Sequence, residues 1–71
     1  MVEVFKTNVQ QPKQARILES ELASQFPFVK INFDLEDCDK VLRIETAGAN
    51  VDAELIFSIL GKNNHEGSIL E

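Results

Sequence analysis

The sequence predicts an α+β domain in which two helices cover one face of a four-stranded antiparallel sheet. Residues 29–35 and 41–46 each alternate apolar and polar side chains at the period of a half-buried strand, with a polar turn between them. Ala15, Leu18, Leu22 and Phe26 recur at spacings of three and four, the pattern of a helix with one buried side. Pro12, Pro27, the stretch Ala47-Gly48-Ala49-Asn50 and Gly61 divide the chain into the order strand, helix, strand, strand, helix, short strand.

The first strand is expected over Val2 to Thr7, because Val, Phe and Thr suit a pleated surface. Phe5 and Thr7 then face inward, Val2, Val4 and Lys6 face the other way, and Val9 folds back over the core edge as an apolar plug. Pro12 begins the first helix, since its fixed φ suits the first turn and the N–H it lacks would have had no partner there. Pro27 closes that helix by pushing the residue before it out of the helical region. Phe28 to Leu35 forms the second strand with Ile31 and Phe33 inward, and Glu36 to Lys40 forms a polar turn. Val41 to Thr46 forms the third strand, with Leu42 and Ile44 on one face and Val41, Arg43 and Glu45 on the other. Asn50 or Asp52 caps a second helix over about residues 52 to 60, and Gly61 is its expected C-terminal stop. The tail from His65 to Leu70 adds a short edge strand, weakened by Gly67. This βαββαβ order is the split-βαβ pattern of ferredoxin-like folds, with strand order 4-1-3-2 and both helices on one face. Such an order gathers the first loop, the hairpin tip and the loop before the last strand at one edge, where any site is expected.

Twelve acidic and seven basic side chains give a net charge of −5, and the basic ones are scattered along the chain. Phosphate binding needs a clustered cationic face, so nucleic acid is not an expected partner. Cys38 is the single cysteine and has no partner for an internal disulfide, which leaves no argument for an oxidising compartment. No basic leader precedes an apolar run, and no stretch approaches the roughly 20 apolar residues of a membrane span, so no membrane partner is expected and a cytoplasmic location is. A 71-residue chain buries only about 60% of the surface that its unfolded form exposes, far short of a deep enzymatic cleft. Its one histidine has no nucleophile and orienter pattern beside it, and there is no phosphate loop, G-x-S-x-G or HExxH motif. An enzyme is not expected.

Phe5-Lys6-Thr7-Asn8-Val9, followed by Gln11, two residues, Gln14 and Ala15, is similar to the F-K-T-N-[IV]-x-C-x-x-C-[VA] opening of the heavy-metal-associated domain family. That family includes copper chaperones and the N-terminal modules of metal pumps. Phe33-Asp34-Leu35, Asp39 to Ile44 and Leu60-Gly61-Lys62 fall where the family has its second strand, third strand and closing glycine. The resemblance spans nearly the whole chain and implies one metallochaperone-like domain over residues 1–71. It also implies metal ligands at Gln11 and Gln14, and there the chain departs from the family. Thiolates hold soft metals because sulfur is polarisable and charged, whereas glutamine offers a neutral amide oxygen. The implied function is a non-catalytic protein-interaction module with a degenerate metal site and no cofactor. The alternative is Cu(I) or Zn(II) binding in heavy-metal trafficking.

Cys38 and His65 are the remaining metal-ligand types. Cys38, between Asp37 and Asp39, could be an exposed ligand or redox thiol but reads more simply as a tolerated surface cysteine. Strands two and four, whose loops carry these residues, stand three spacings of about 4.8 Å apart, roughly 14 Å, against ligand bonds near ~2 Å. A shared ion is therefore not expected. A small-molecule site on the open sheet face around Val4, Val41 and Arg43 is a third class, with no further support. Helix two is more informative, since Val51, Leu55, Ile56, Phe57, Ile59 and Leu60 wrap apolar surface around most of its circumference. One sheet cannot cover it all. The family register turns Ala53, Ile56, Phe57 and Leu60 inward and leaves Leu55 and Ile59 outside, as the contact for a protein partner or weak homodimer. Hydropathy alone instead buries Leu55 and Ile59 and exposes Phe57.

Overall fold

The computed structural model describes residues 2–26, 28–47 and 51–70. In chain order the elements are β1 (Val2–Thr7), α1 (Pro12–Gln25), β2 (Val29–Asp34), β3 (Val41–Thr46), α2 (Ala53–Lys62) and β4 (Gly67–Ile69). The strands form one antiparallel sheet in the order β2-β3-β1-β4, so β3 and β1 are central while β2 and β4 are edges.

Register decides which side chains share a face. Phe5 stands opposite Leu42, Leu42 opposite Phe33, and Ile44 opposite Ile31, so these residues point to the same side of the sheet. Both helices pack on that side: Phe5, Leu42 and Ile44 join Val9, Leu18 and Leu22 with Ile56 and Leu60 in one buried cluster. Val29, Ile31 and Phe33 of β2 pack against it but stay half-buried, because no strand lies along the outer flank of an edge.

β1, β3 and the start of α1 lie where the sequence pattern puts them. The second strand is shorter than expected at both ends, with Phe28 in a turn and Leu35 already in the hairpin loop. Gly61 does not stop α2, which runs on to Lys62. The stop comes three residues later, where Asn64 adopts φ 65°. Its N–H donates to the Gly61 carbonyl (3.0 Å) and the His65 N–H donates to the Leu60 carbonyl (2.8 Å). This paired arrangement satisfies the last helical carbonyls, and asparagine is the non-glycine residue that best tolerates the left-handed conformation it requires. At the other end Asp52 is the cap, its Oδ1 accepting the Leu55 N–H at 3.2 Å. Asn50, the other candidate cap, lies with Gly48 and Pro27 outside the described residues.

Gly67 allows β4 to pass beneath α2. A Cβ at this position would stand 2.6 Å from Leu60 Cδ1 and 3.4 Å from Phe57 Cδ1. A residue that weakens the strand by itself is thus required by the helix above it.

Each expected register of α2 holds in part: the family's inward set, Ala53, Ile56, Phe57 and Leu60, packs on the core, and so does Ile59, which only hydropathy buried. Ile56, Ile59 and Leu60 are buried, while Leu55 and Phe57 are half-buried against the same core. Ile59, at 6% exposure, is a core residue and cannot serve as the outer contact that the family register assigned to it with Leu55. Phe57 is not the free residue either, since its ring meets Phe5 edge-on with centroids 5.7 Å apart. The physical reason is that α2 has two neighbours. Asn63, one turn beyond Ile59 on the same row, donates through Nδ2 to Glu21 of α1 at 3.4 Å, and Lys62 Nζ lies 2.8 Å from the same carboxylate. The first helix therefore covers the side of α2 that the sheet leaves open. On the opposite sheet face, where a small-molecule site was the third expectation, Val41 is buried, Val4 half-buried and Arg43 exposed.

Candidate functional site

Three loops meet at one end of the sheet, as the strand order requires, and Thr7 is the residue that joins two of them. Its N–H donates to the Asp39 carbonyl at 3.1 Å. Its hydroxyl donates to the Lys40 carbonyl and accepts the N–H of Val9 at 3.3 Å, so one buried side chain fixes both the hairpin and the loop leading to α1. Val9 is 0% exposed, which explains why an apolar residue sits in that loop. Asn8 ties in the third loop: its N–H donates to the Glu66 carbonyl at 3.3 Å and its Oδ1 accepts the Glu66 N–H at 2.9 Å.

The hairpin is braced from within. Asp37 accepts the Asp39 N–H on Oδ1 (2.8 Å) and the Lys40 N–H on its carbonyl (3.0 Å). Lys40 has φ 47°, uncommon outside glycine, and donates from Nζ to the Leu35 carbonyl at 2.9 Å. Lys6 Nζ lies 3.6 Å from Asp39 Oδ1, a partly exposed pair of small energetic weight.

Gln11 immediately precedes α1, exposed, with its carbonyl accepting the Ala15 N–H at 3.0 Å and its side chain making no cap bond. Gln14 is exposed on the first turn and lines a shallow depression of about 170 Å³ with Ile17, Leu18, Asn63 and His65. Both amides thus stand at the surface of the loop–helix junction, where neither can supply a thiolate's charge or softness.

Cys38 is exposed at the hairpin tip, and its Sγ and the carboxylates of Asp37 and Asp39 lie within 4.8 Å of one another. His65 is not in that group. Both carboxylates are already engaged, Asp37 in bracing the turn and Asp39 beside Lys6. His65 lines the depression beside Gln14, while Cys38 stands with Asp37 and Asp39 at the hairpin tip.

Three exposed apolar residues were not foreseen as surface features: Phe28 at 91%, Ile69 at 57% and Ile17 at 52% exposure. The signal for Ile17 is its place beside, not within, the stripe of Ala15, Leu18 and Leu22. Phe28 lies one position before the alternation of β2 begins. Comparison of the chain with protein-family models, curated proteins and solved structures gave no match.

Proposed function

We propose that this chain is a ferredoxin-like, heavy-metal-associated-type domain that has lost its metal ligands and works through protein contacts. The observation that carries the reading is the pair Gln11 and Gln14, exposed at the start of α1 at the separation where that family places two thiolates. Counted from the β4 edge the sheet reads 4-1-3-2, in keeping with this fold. The polar side chains that converge nearby, Thr7, Asn8 and Asp37, are occupied in holding loops together. Apolar side chains left in solvent, above all Phe28, favour contact with another protein as the remaining role.

Competition against a chromogenic chelator tests the loss of metal binding. The wild-type chain should take up Cu(I) or Zn(II) no better than an unstructured peptide with one Cys and one His. The double substitution Gln11→Cys with Gln14→Cys should create a soft-metal site, because the junction already presents both positions to solvent. Submicromolar wild-type affinity that disappears in Cys38→Ser would establish the metal-trafficking alternative instead. A folded double variant that fails to bind Cu(I) would show that the loop geometry differs from the family's.

A further inference from the structure

The two edges of the sheet are unlike. β4 is three residues long and begins with Gly67. β2 offers six residues from Val29 to Asp34, contains no proline or glycine, and points no charged side chain toward the helix side. Shortness, proline and an inward-pointing charge are devices that blunt natural edge strands; β2 lacks these three and carries only the outward Lys30 and Asp34, of opposite sign. Its inward residues are also incompletely covered: Ile31 and Phe33 are half-buried, whereas Ile44 and Leu42 opposite them on β3 are 0% exposed. On the outer face the same strand exposes Lys30, Asn32 and Asp34.

We propose that β2 pairs antiparallel with β2 of a second copy of this chain, about a two-fold axis at Asn32, so that two four-stranded sheets become one continuous sheet. Residues facing each other across an antiparallel pair must point to the same side, so the axis passes through a residue and never between two. With the axis at Asn32, Lys30 of each copy stands opposite Asp34 of the other on the outer face, and Ile31 of each stands opposite Phe33 of the other on the helix side. Moving the axis to Ile31 sets Lys30 against Asn32 and Asp34 against Phe28. Moving it to Phe33 sets Asn32 against Asp34 and shifts the partner of Lys30 to Glu36, beyond the end of the strand. The Asn32 register alone matches both charges and both apolar residues within β2, and its self-complementarity is what a two-fold interface needs. A single strand edge is a small contact, so the dimer belongs to the weak, concentration-dependent class.

Sedimentation of the full chain from micromolar to millimolar concentration tests this, with thermal melts to confirm that each variant is folded. The wild type should pass from monomer to dimer. Lys30→Glu alone opposes two carboxylate pairs, and Asp34→Lys alone opposes two ammonium pairs; each should weaken the dimer about tenfold or more. An equimolar mixture of the Lys30→Glu and Asp34→Lys chains makes every cross-copy pair opposite in charge and should restore association as a heterodimer. Asp34 also accepts the Glu36 N–H at 3.2 Å, so Asp34→Lys alters the turn. Should that variant unfold, Lys30→Glu decides by itself, and an undiminished dimer overturns the proposal. A wild type that stays monomeric at millimolar concentration overturns it, as does a mixture of folded variants that fails to associate. The proposal deepens the interaction reading, and the two fail separately: metal affinity overturns the loss of ligands and leaves the dimer standing, while a monomeric wild type overturns the dimer and leaves the metal result untouched.

Discussion

α1 and α2 lie side by side over the same sheet face, yet they are held there in different ways. α1 buries Ala15, Leu18 and Leu22 along a narrow stripe, starts without a side-chain cap, and has no acidic residue in its first turn or basic residue in its last. α2 is four residues shorter, at 10 against 14, but has Asp52 accepting at its N-terminus, Glu54 in its first turn and Lys62 in its last. Its apolar surface is wider, with Ile56, Ile59 and Leu60 buried and Leu55 and Phe57 half-covered. A narrow stripe leaves one way to bury a helix. A broad one leaves several of similar energy, and the neighbouring element chooses among them.

The largest expected effect breaks or upholds that contrast directly. Ile59→Ala should lower stability by about 2–5 kcal/mol in urea denaturation, as for a large core residue truncated in place. Ile17→Ala, on the exposed side of α1, should stay within about 0.5 kcal/mol of wild type. A neutral Ile59→Ala would mean that α1 does not cover this side of α2.

The helix starts should differ next. Asp52→Ala removes the acceptor for the Leu55 N–H and should cost about 0.5–2 kcal/mol. Gln11 has the extended backbone of an N-cap, φ −109° and ψ 133°, without a side chain short enough to use it. Gln11→Ser should therefore stabilise the domain, by about 1 kcal/mol or less, and raise the melting temperature. An unchanged melting temperature would show that the first turn of α1 is already satisfied by solvent.

The smallest effect lies where the helices touch. The hydrogen bond from Lys62 is the main cause holding the Glu21 carboxyl below its ordinary value of 4.5; Asn63 and the Lys62 charge act in the same direction, and partial burial opposes them. A depressed folded-state value means that the contribution is fully present above the unfolded value and is lost as pH falls through the folded one. Lys62→Met should accordingly reduce stability slightly at neutral pH and match wild type in strong acid. Lys62 is largely exposed, so the difference will be modest and will shrink with salt. A difference that persists unchanged into strong acid would assign the effect of Lys62→Met to lost packing.

Much of the candidate site was legible from local chemistry. Pro12 places the start of α1, and the residues on either side of it, Gln11 and Gln14, consequently lie at an exposed junction. The role of Thr7 was not legible, because its hydroxyl acts on Lys40, 33 residues away, and no local pattern encodes a bond that exists only once β1 and the hairpin are side by side. Gly61 misled for a related reason. A glycine near a helix end resembles a stop, but the stop depends on which residue adopts a left-handed φ, and Asn64 does.

By itself the sequence determined whatever repeats at the period of the backbone: the alternating strands β1, β2 and β3, the hairpin between β2 and β3, the narrow stripe of α1 and the order of the elements. These depend on a residue and its neighbours within a few positions, where steric and apolar preferences act directly. Only the tertiary structure decided the rotation of α2, the burial of Ile59, and the fit of Gly67 beneath Leu60. A helix apolar around most of its surface gains similar energy in several orientations, so the choice falls to the surfaces that meet it, the sheet below and α1 beside it.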